Sequence, residues 1–188
     1  MTDGGSRRLP VIGVLGGGAE PLAPEVAERC RALGALLARR GCHLLTGGGR
    51  GVMAEVTRAF VATPSRAGLA LAILPGDAAT GEPPSGYPNP AVELAIRTHL
   101  PARGERGADP DSRNHLNVLT ADALIALAGG PGTRSEVELA LRYGRPVCAF
   151  AEDVEQELPG YAEGVARVAG LEALEAWLAD VLDAGADR

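Results

Sequence analysis

The chain is 188 residues long and 46% apolar, which suits one domain with a sizeable core. Its formal charge is −6 and all 18 basic residues are arginine; with no lysine present, Schiff-base chemistry and a Walker A phosphate loop are excluded. The acidic balance argues against nonspecific nucleic-acid binding, since Arg103 with Arg106 is too small a basic cluster to line a groove.

In chain order, Leu9 to Leu15 reads as a buried strand that runs into Gly16, Gly17 and Gly18. A helix is expected from Pro24 to Arg40, because Val26, Cys30, Leu33 and Leu37 recur at helical spacing and Gly41 follows. Cys42 to Thr46 reads as a second strand, closed by Gly47, Gly48 and Gly49. Val52, Val56 and Phe60 then mark one stripe of the next helix, and Leu69 to Leu74 is a third strand. The Pro- and Gly-rich stretch from Asp77 to Pro90 reads as an ordered excursion or a lid.

Val92 to Thr98 is a candidate strand, Pro101 to Asp111 a polar connection, and Ser112 to Thr120 a short helix. Ala123 to Leu127 is an apolar strand, followed by a loop from Gly129 to Thr133 and a helix from about Arg134 to Tyr143. Pro146 to Phe150 reads as a further strand, and a polar link then leads to a C-terminal helix with Leu171, Leu174, Trp177, Leu178, Val181 and Leu182 on one face. Apolar strands alternating with amphipathic helices predict a single Rossmann-like domain over residues 1–188, three layers α/β/α with a mostly parallel sheet. In such sheets ligands bind beyond the carboxyl ends of the strands, where all three Gly-rich loops fall.

The loop at Gly129, Gly130, Pro131, Gly132 and Thr133 follows a strand and opens a helix. Glycines let the backbone approach an anion, and the helix start offers free N–H groups and partial positive charge, so a phosphate can be held there without any lysine. Glu136 has two readings: it closes a capping box with Thr133, or it faces the part of a ligand beyond the phosphate. Arg113 and Asn117 share one face of the short helix, with Asn114 beside them, and are candidates to clamp phosphate or sugar hydroxyls. His99 and His115 are unpaired candidates for acid catalysis. Cys30, Cys42 and Cys148 lie in apolar segments without metal-ligand spacing and read as buried thiols in a reducing cytoplasm, with no metal site expected. No leader-like or membrane-spanning run is evident in the sequence.

Residues 129–136 resemble the PGGxGTxxE pattern of the Lonely Guy (LOG) superfamily, with Ala128 in place of the first proline. The resemblance extends to the opening strand with Gly16–Gly18, to Leu45–Met53 including Arg50, to Ile73–Gly76, to Ser112-Arg113-Asn114 and to Tyr143–Val147. It implies hydrolysis of the N-glycosidic bond of a nucleoside 5′-monophosphate to base and ribose 5-phosphate. Glu136 and Arg113 would be the catalytic pair and the three Gly-rich loops, Arg50, Met53, Asn114 and Asn117 would bind ligand, with no cofactor required. The Ser-Arg-Asn form and Asn89-Pro90 look more like a second branch, which includes molybdenum cofactor carrier proteins. In that reading the protein is a non-catalytic carrier and the cofactor, a phosphorylated pterin, is its ligand. The resemblance also implies a homodimer or larger homo-oligomer, and the old label of lysine decarboxylase for such proteins is at odds with a lysine-free chain.

Overall fold

The computed structural model describes residues 8–160 and 164–186. Seven parallel strands form one sheet in the order β4-β3-β2-β1-β5-β6-β7. They are β1 (Val11–Leu15), β2 (His43–Thr46), β3 (Ala70–Leu74), β4 (Leu94–Arg97), β5 (Ala123–Ala126), β6 (Val147–Phe150) and β7 (Ala166–Val168). The helices are α1 (Pro24–Arg39), α2 (Val52–Ala62), α3 (Asn114–Thr120), α4 (Pro131–Arg142), α5 (Val154–Glu157) and α6 (Leu171–Ala186).

Strand residues alternate between two cores, as period-2 patterning requires. Ile12, Ala123, Ile125, Cys148 and Phe150 pack with Leu33 and Leu37 of α1, Val56 and Phe60 of α2, and Leu174 and Leu178 of α6. Leu124, Ala126, Val147 and Ala149 face the other way, onto Val118 of α3 and Val137, Leu139 and Ala140 of α4. Few of these side chains are aromatic, so the layers close on Ala, Val and Leu.

The chain builds β1 to β4 outward on one side, then returns to place β5 against the free side of β1. The strand order therefore reverses between β1 and β5, which is where doubly wound sheets open a crevice for ligands. The ends of β2, β1 and β5 lie side by side there, and each runs into one of the Gly-rich loops.

Three local expectations need correction. α4 begins at Pro131 rather than near Arg134, so Pro131, Gly132 and Thr133 are its first turn and Gly130 its N-cap; proline suits the first helical position because no acceptor awaits its nitrogen. β4 is confined to Leu94–Arg97. The polar link after β6 contains a one-turn helix, α5, capped by Asp153 Oδ1 accepting from the Gln156 N–H at 3.1 Å, and the short edge strand β7. Among the described residues, no helix is long and apolar enough to cross a membrane.

Candidate functional site

The three loops are stitched to one another. The Gly17 N–H donates to the Ala128 carbonyl at 2.9 Å, and the Gly17 carbonyl accepts from the Val52 N–H at 3.0 Å. Gly16 lies where a Cβ would stand 2.3 Å from the Val52 side chain, and Gly48 sits at φ +77° with its N–H bonded to Thr46 Oγ1 at 3.1 Å. Packing alone thus accounts for these glycines. Gly49 leaves room for Met53 and Tyr87, and Gly18 is exposed.

The start of α4 is different. The Gly129 N–H is taken by the Glu157 carbonyl at 3.2 Å, and the Arg134 N–H closes onto the Gly130 carbonyl at 3.0 Å. Between them, the N–H groups of Gly130, Gly132 and Thr133 have no acceptor among the described residues. No side chain caps this helix end, and Gly130 and Pro131 are exposed. Three unpaired donors at the positive end of a helix can accept an anion. A side chain at Gly129 would close it, since its Cβ would stand 2.2 Å from Thr133 Oγ1.

Behind this helix end lies a buried polar cluster. Arg113 is 7% exposed and Glu136 8%. Glu136 Oε1 accepts from Arg113 Nη1 at 3.3 Å and from Asn117 Nδ2 at 3.1 Å. Arg113 also donates to Asn114 Oδ1 through Nη1 and to the Gly47 carbonyl through Nη2, the latter at 3.3 Å. Asn114 Nδ2 donates to Ser135 Oγ at 3.1 Å. Sequence reasoning left Glu136 between two roles; with its carboxylate on Arg113 and Asn117, and Gly130 as N-cap, the capping box does not form. Burial pushes the Glu136 carboxyl above its ordinary range, while the Arg113 charge and the Asn117 and Arg113 hydrogen bonds pull the other way. Arg113 Nε and Asn117 Oδ1 are buried without partners, and Glu136 Oε2 has none among the described residues.

The structure therefore brings Arg113, Asn114, Asn117, Thr133 and Glu136 together beside Gly47 and Gly129–Gly132. Met53 joins them at the edge, its sulfur 3.2 Å from a Cβ built on Gly47. Arg50 points elsewhere. It lines a cavity of about 600 Å³ with Glu20, Ala54, Pro88, Asn89 and Pro90. This cavity is formed because Asn89 pins the Pro-rich excursion to the second Gly loop: its N–H donates to the Gly48 carbonyl at 2.8 Å and its Nδ2 to the Gly49 carbonyl at 3.0 Å. A second hollow of about 540 Å³ adjoins it, sharing Glu20 and Arg58. Sequence reasoning missed Glu20, because nothing local ties it to residues 31 and 69 positions away. His115 is held by Tyr143 Oη at 2.7 Å and the Asp109 carbonyl at 3.0 Å, while His99 is exposed after β4. Among the described residues no group of three or more His, Cys, Asp or Glu side chains is placed to hold a metal.

Fold and site define an α/β protein of Rossmann-like build whose buried polar residues gather at the carboxyl ends of its strands. The chain belongs to the SLOG cluster4 family, whose sequence model matches residues 9–174. An uncharacterized protein of Archaeoglobus fulgidus is 31% identical over 148 residues, 78% of this chain and 83% of its own. Among solved structures, the molybdenum cofactor carrier protein of Chlamydomonas reinhardtii is 30% identical with a TM-score of 0.72, covering 94% of this chain and 99% of that one. The molybdenum cofactor binding protein of the phototrophic bacterium Rippkaea orientalis is likewise 30% identical, with the same TM-score of 0.72 and the same coverage of 94% and 99%.

Proposed function

We propose that this protein binds a phosphorylated small molecule, with the phosphate on the N–H groups of Gly130, Gly132 and Thr133, and that it serves as a carrier for a phosphorylated pterin of the molybdenum cofactor kind. The observation that carries this reading is the open, uncapped start of α4, whose three unpaired N–H donors lie just beyond the carboxyl end of β5, at the crevice where the strand order reverses. The two cofactor-binding relatives support the choice of ligand. Arg113 adds a fixed positive charge behind the phosphate, and Asn114 and Asn117 hold that cluster in place. The relevant test is native mass spectrometry of the protein expressed in a host that makes the cofactor. A bound phosphorylated pterin, lost on Gly132→Asp, supports the reading; an empty protein that also fails to take up free cofactor overturns it.

A second reading, hydrolysis of a nucleoside 5′-monophosphate, is favoured by one feature: Glu136 is anchored through Oε1 alone, so Oε2 is available to the ligand. In that reading Glu136 stabilises the oxocarbenium-like sugar and orients water, and Arg113 assists departure of the base. The burial that raises the Glu136 carboxyl works against this role, because only the ionised form stabilises positive charge. Release of ribose 5-phosphate from AMP, GMP, CMP or UMP, abolished in Glu136→Gln, would establish it; no release from any of the four would dismiss it.

Self-association belongs to the same proposal. Leu116 and Leu119 of α3 are 40% and 43% exposed, and Leu141 and Tyr143 at the end of α4 are 36% and 38% exposed. The His115–Tyr143 hydrogen bond brings these two helix surfaces together. An apolar surface of this kind suits a second copy of the chain in the cytoplasm, and light scattering on the purified protein reads the assembly directly.

A further inference from the structure

The cavity between α2 and residues 86–91 has no part in holding the phosphate, yet it is a built site. Ala54, Pro88 and Pro90 form the apolar part of its wall, and it is also lined by Asn89, which is 3% exposed and bonded to both Gly48 and Gly49. Three charged side chains line it: Glu20, Arg50 and Arg58, the last of them paired with Glu55. Arg50 has no acidic partner among the described residues, although its guanidinium lies against Gly86, where a Cβ would stand 3.1 Å from Nη2. Glu20 accepts from the Gly51 N–H through Oε1 at 3.3 Å, which leaves Oε2 without a partner among the described residues. A cavity of about 600 Å³ is ample for a bicyclic ring.

We propose that this cavity is the seat of the ligand's ring, and that it selects a 2-amino-4-oxo-pyrimidine edge, the hydrogen-bonding pattern shared by guanine and pterin. This rests on the reading of α4 as the phosphate receptor. The guanidinium donors of Arg50 match a ring carbonyl and its neighbouring ring nitrogen, as arginine matches O6 and N7 of guanine. The Glu20 carboxylate accepts from the ring N–H and the exocyclic amine on the opposite edge. Adenine offers an amine where guanine offers a carbonyl, and so sets donor against donor at Arg50. The second Gly loop joins the two places: its Gly47 carbonyl accepts from Arg113, and its Gly48 and Gly49 carbonyls accept from Asn89 in the cavity wall.

Titration calorimetry with ribose 5-phosphate, GMP, neopterin monophosphate and AMP tests this. Ribose 5-phosphate reports the phosphate receptor alone. GMP or neopterin monophosphate, or both, should bind roughly tenfold or more tightly than AMP, and Arg50→Met and Glu20→Gln should each collapse that preference. Both side chains are exposed, so the folded state is not at stake. Which of the two ligands binds more tightly identifies the source of the ring. Binding of ribose 5-phosphate with no preference among the ring-bearing ligands, or a preference that survives both substitutions, overturns the ring site and leaves the phosphate reading intact. Failure of ribose 5-phosphate to bind overturns the phosphate reading and this inference with it.

Discussion

Arg113 reaches the Gly47 carbonyl, 66 residues earlier in the chain, and does so only because residue 47 has no side chain. Nη2 donates to that carbonyl at 3.3 Å, and a Cβ at Gly47 would stand 2.3 Å from the same nitrogen. The β2 loop and α3 are thus joined through one guanidinium, which also bears on Glu136 of α4.

Gly47→Ala should displace Arg113 from this position while the sheet stays folded. Overpacking of this size costs about 1–3 kcal/mol, read as a drop in Tm, and binding of a phosphorylated ligand should weaken more than the stability loss explains. An alanine variant that binds as the wild type does would show that Arg113 is not needed where it lies.

The glycines around the start of α4 should separate by position. Gly129→Ala meets Thr133 Oγ1 at 2.2 Å and the Gly17 nitrogen at 3.1 Å, whereas a Cβ on Gly130 meets nothing within 4 Å. Gly129→Ala is expected to lower stability by about 1–3 kcal/mol and Gly130→Ala to change it by less than about 0.5 kcal/mol. Denaturant midpoints check the contrast.

Glu136 should leave a signature in the pH dependence of stability. Burial holds its folded carboxyl above the ordinary value of 4.5, against the pull of Arg113 and Asn117. A carboxyl raised by folding contributes stability below its unfolded value, and that contribution is lost as the pH rises through the folded value. Glu136→Gln does not titrate, so its Tm relative to wild type should become more favourable as pH rises from about 4 towards neutrality. Asp122 and Glu93, both held low once Arg8 and Arg66 overcome the cost of burial, titrate alike in the two proteins and cancel. A flat difference between the two Tm curves would contradict the assigned direction.

The cysteines should be silent. All three are free and buried, and burial pushes the Cys30 thiol to about 12 and the Cys42 thiol to about 11, with Cys148 also raised. A thiol reagent at pH 8 should label none of the three in the native protein and all of them in guanidinium.

The convergence of the three Gly-rich loops was legible because hydrophobic periodicity marks where strands stop, and loops after β1, β2 and β5 had to share one edge of a parallel sheet. Arg113 and Asn117 were legible as a pair from their spacing of four on a helix. The onset of α4 was not, since Pro-Gly reads as loop unless the missing N–H is recognised as harmless in a first turn. The partner of Glu136 was ambiguous for a related reason: a capping box needs Thr133 outside the helix, and Thr133 lies within it. α5 and β7 escaped because one turn and three residues are too short for any period to show. The cavity of Arg50 and Glu20 escaped because its walls come from three separate stretches of chain, joined by Glu20 on the Gly51 N–H and by Asn89 on the second Gly loop.

An anion held by main-chain N–H groups depends on the path of the backbone, and few side-chain substitutions can add to or subtract from it. In the proposed carrier reading, discrimination between cargoes would then be written elsewhere, and the Asn89 clasp marks a place for it: it moors a replaceable awning of proline-rich chain to the second Gly loop. Recutting that awning would change what the protein accommodates, while main-chain donors elsewhere stay the same.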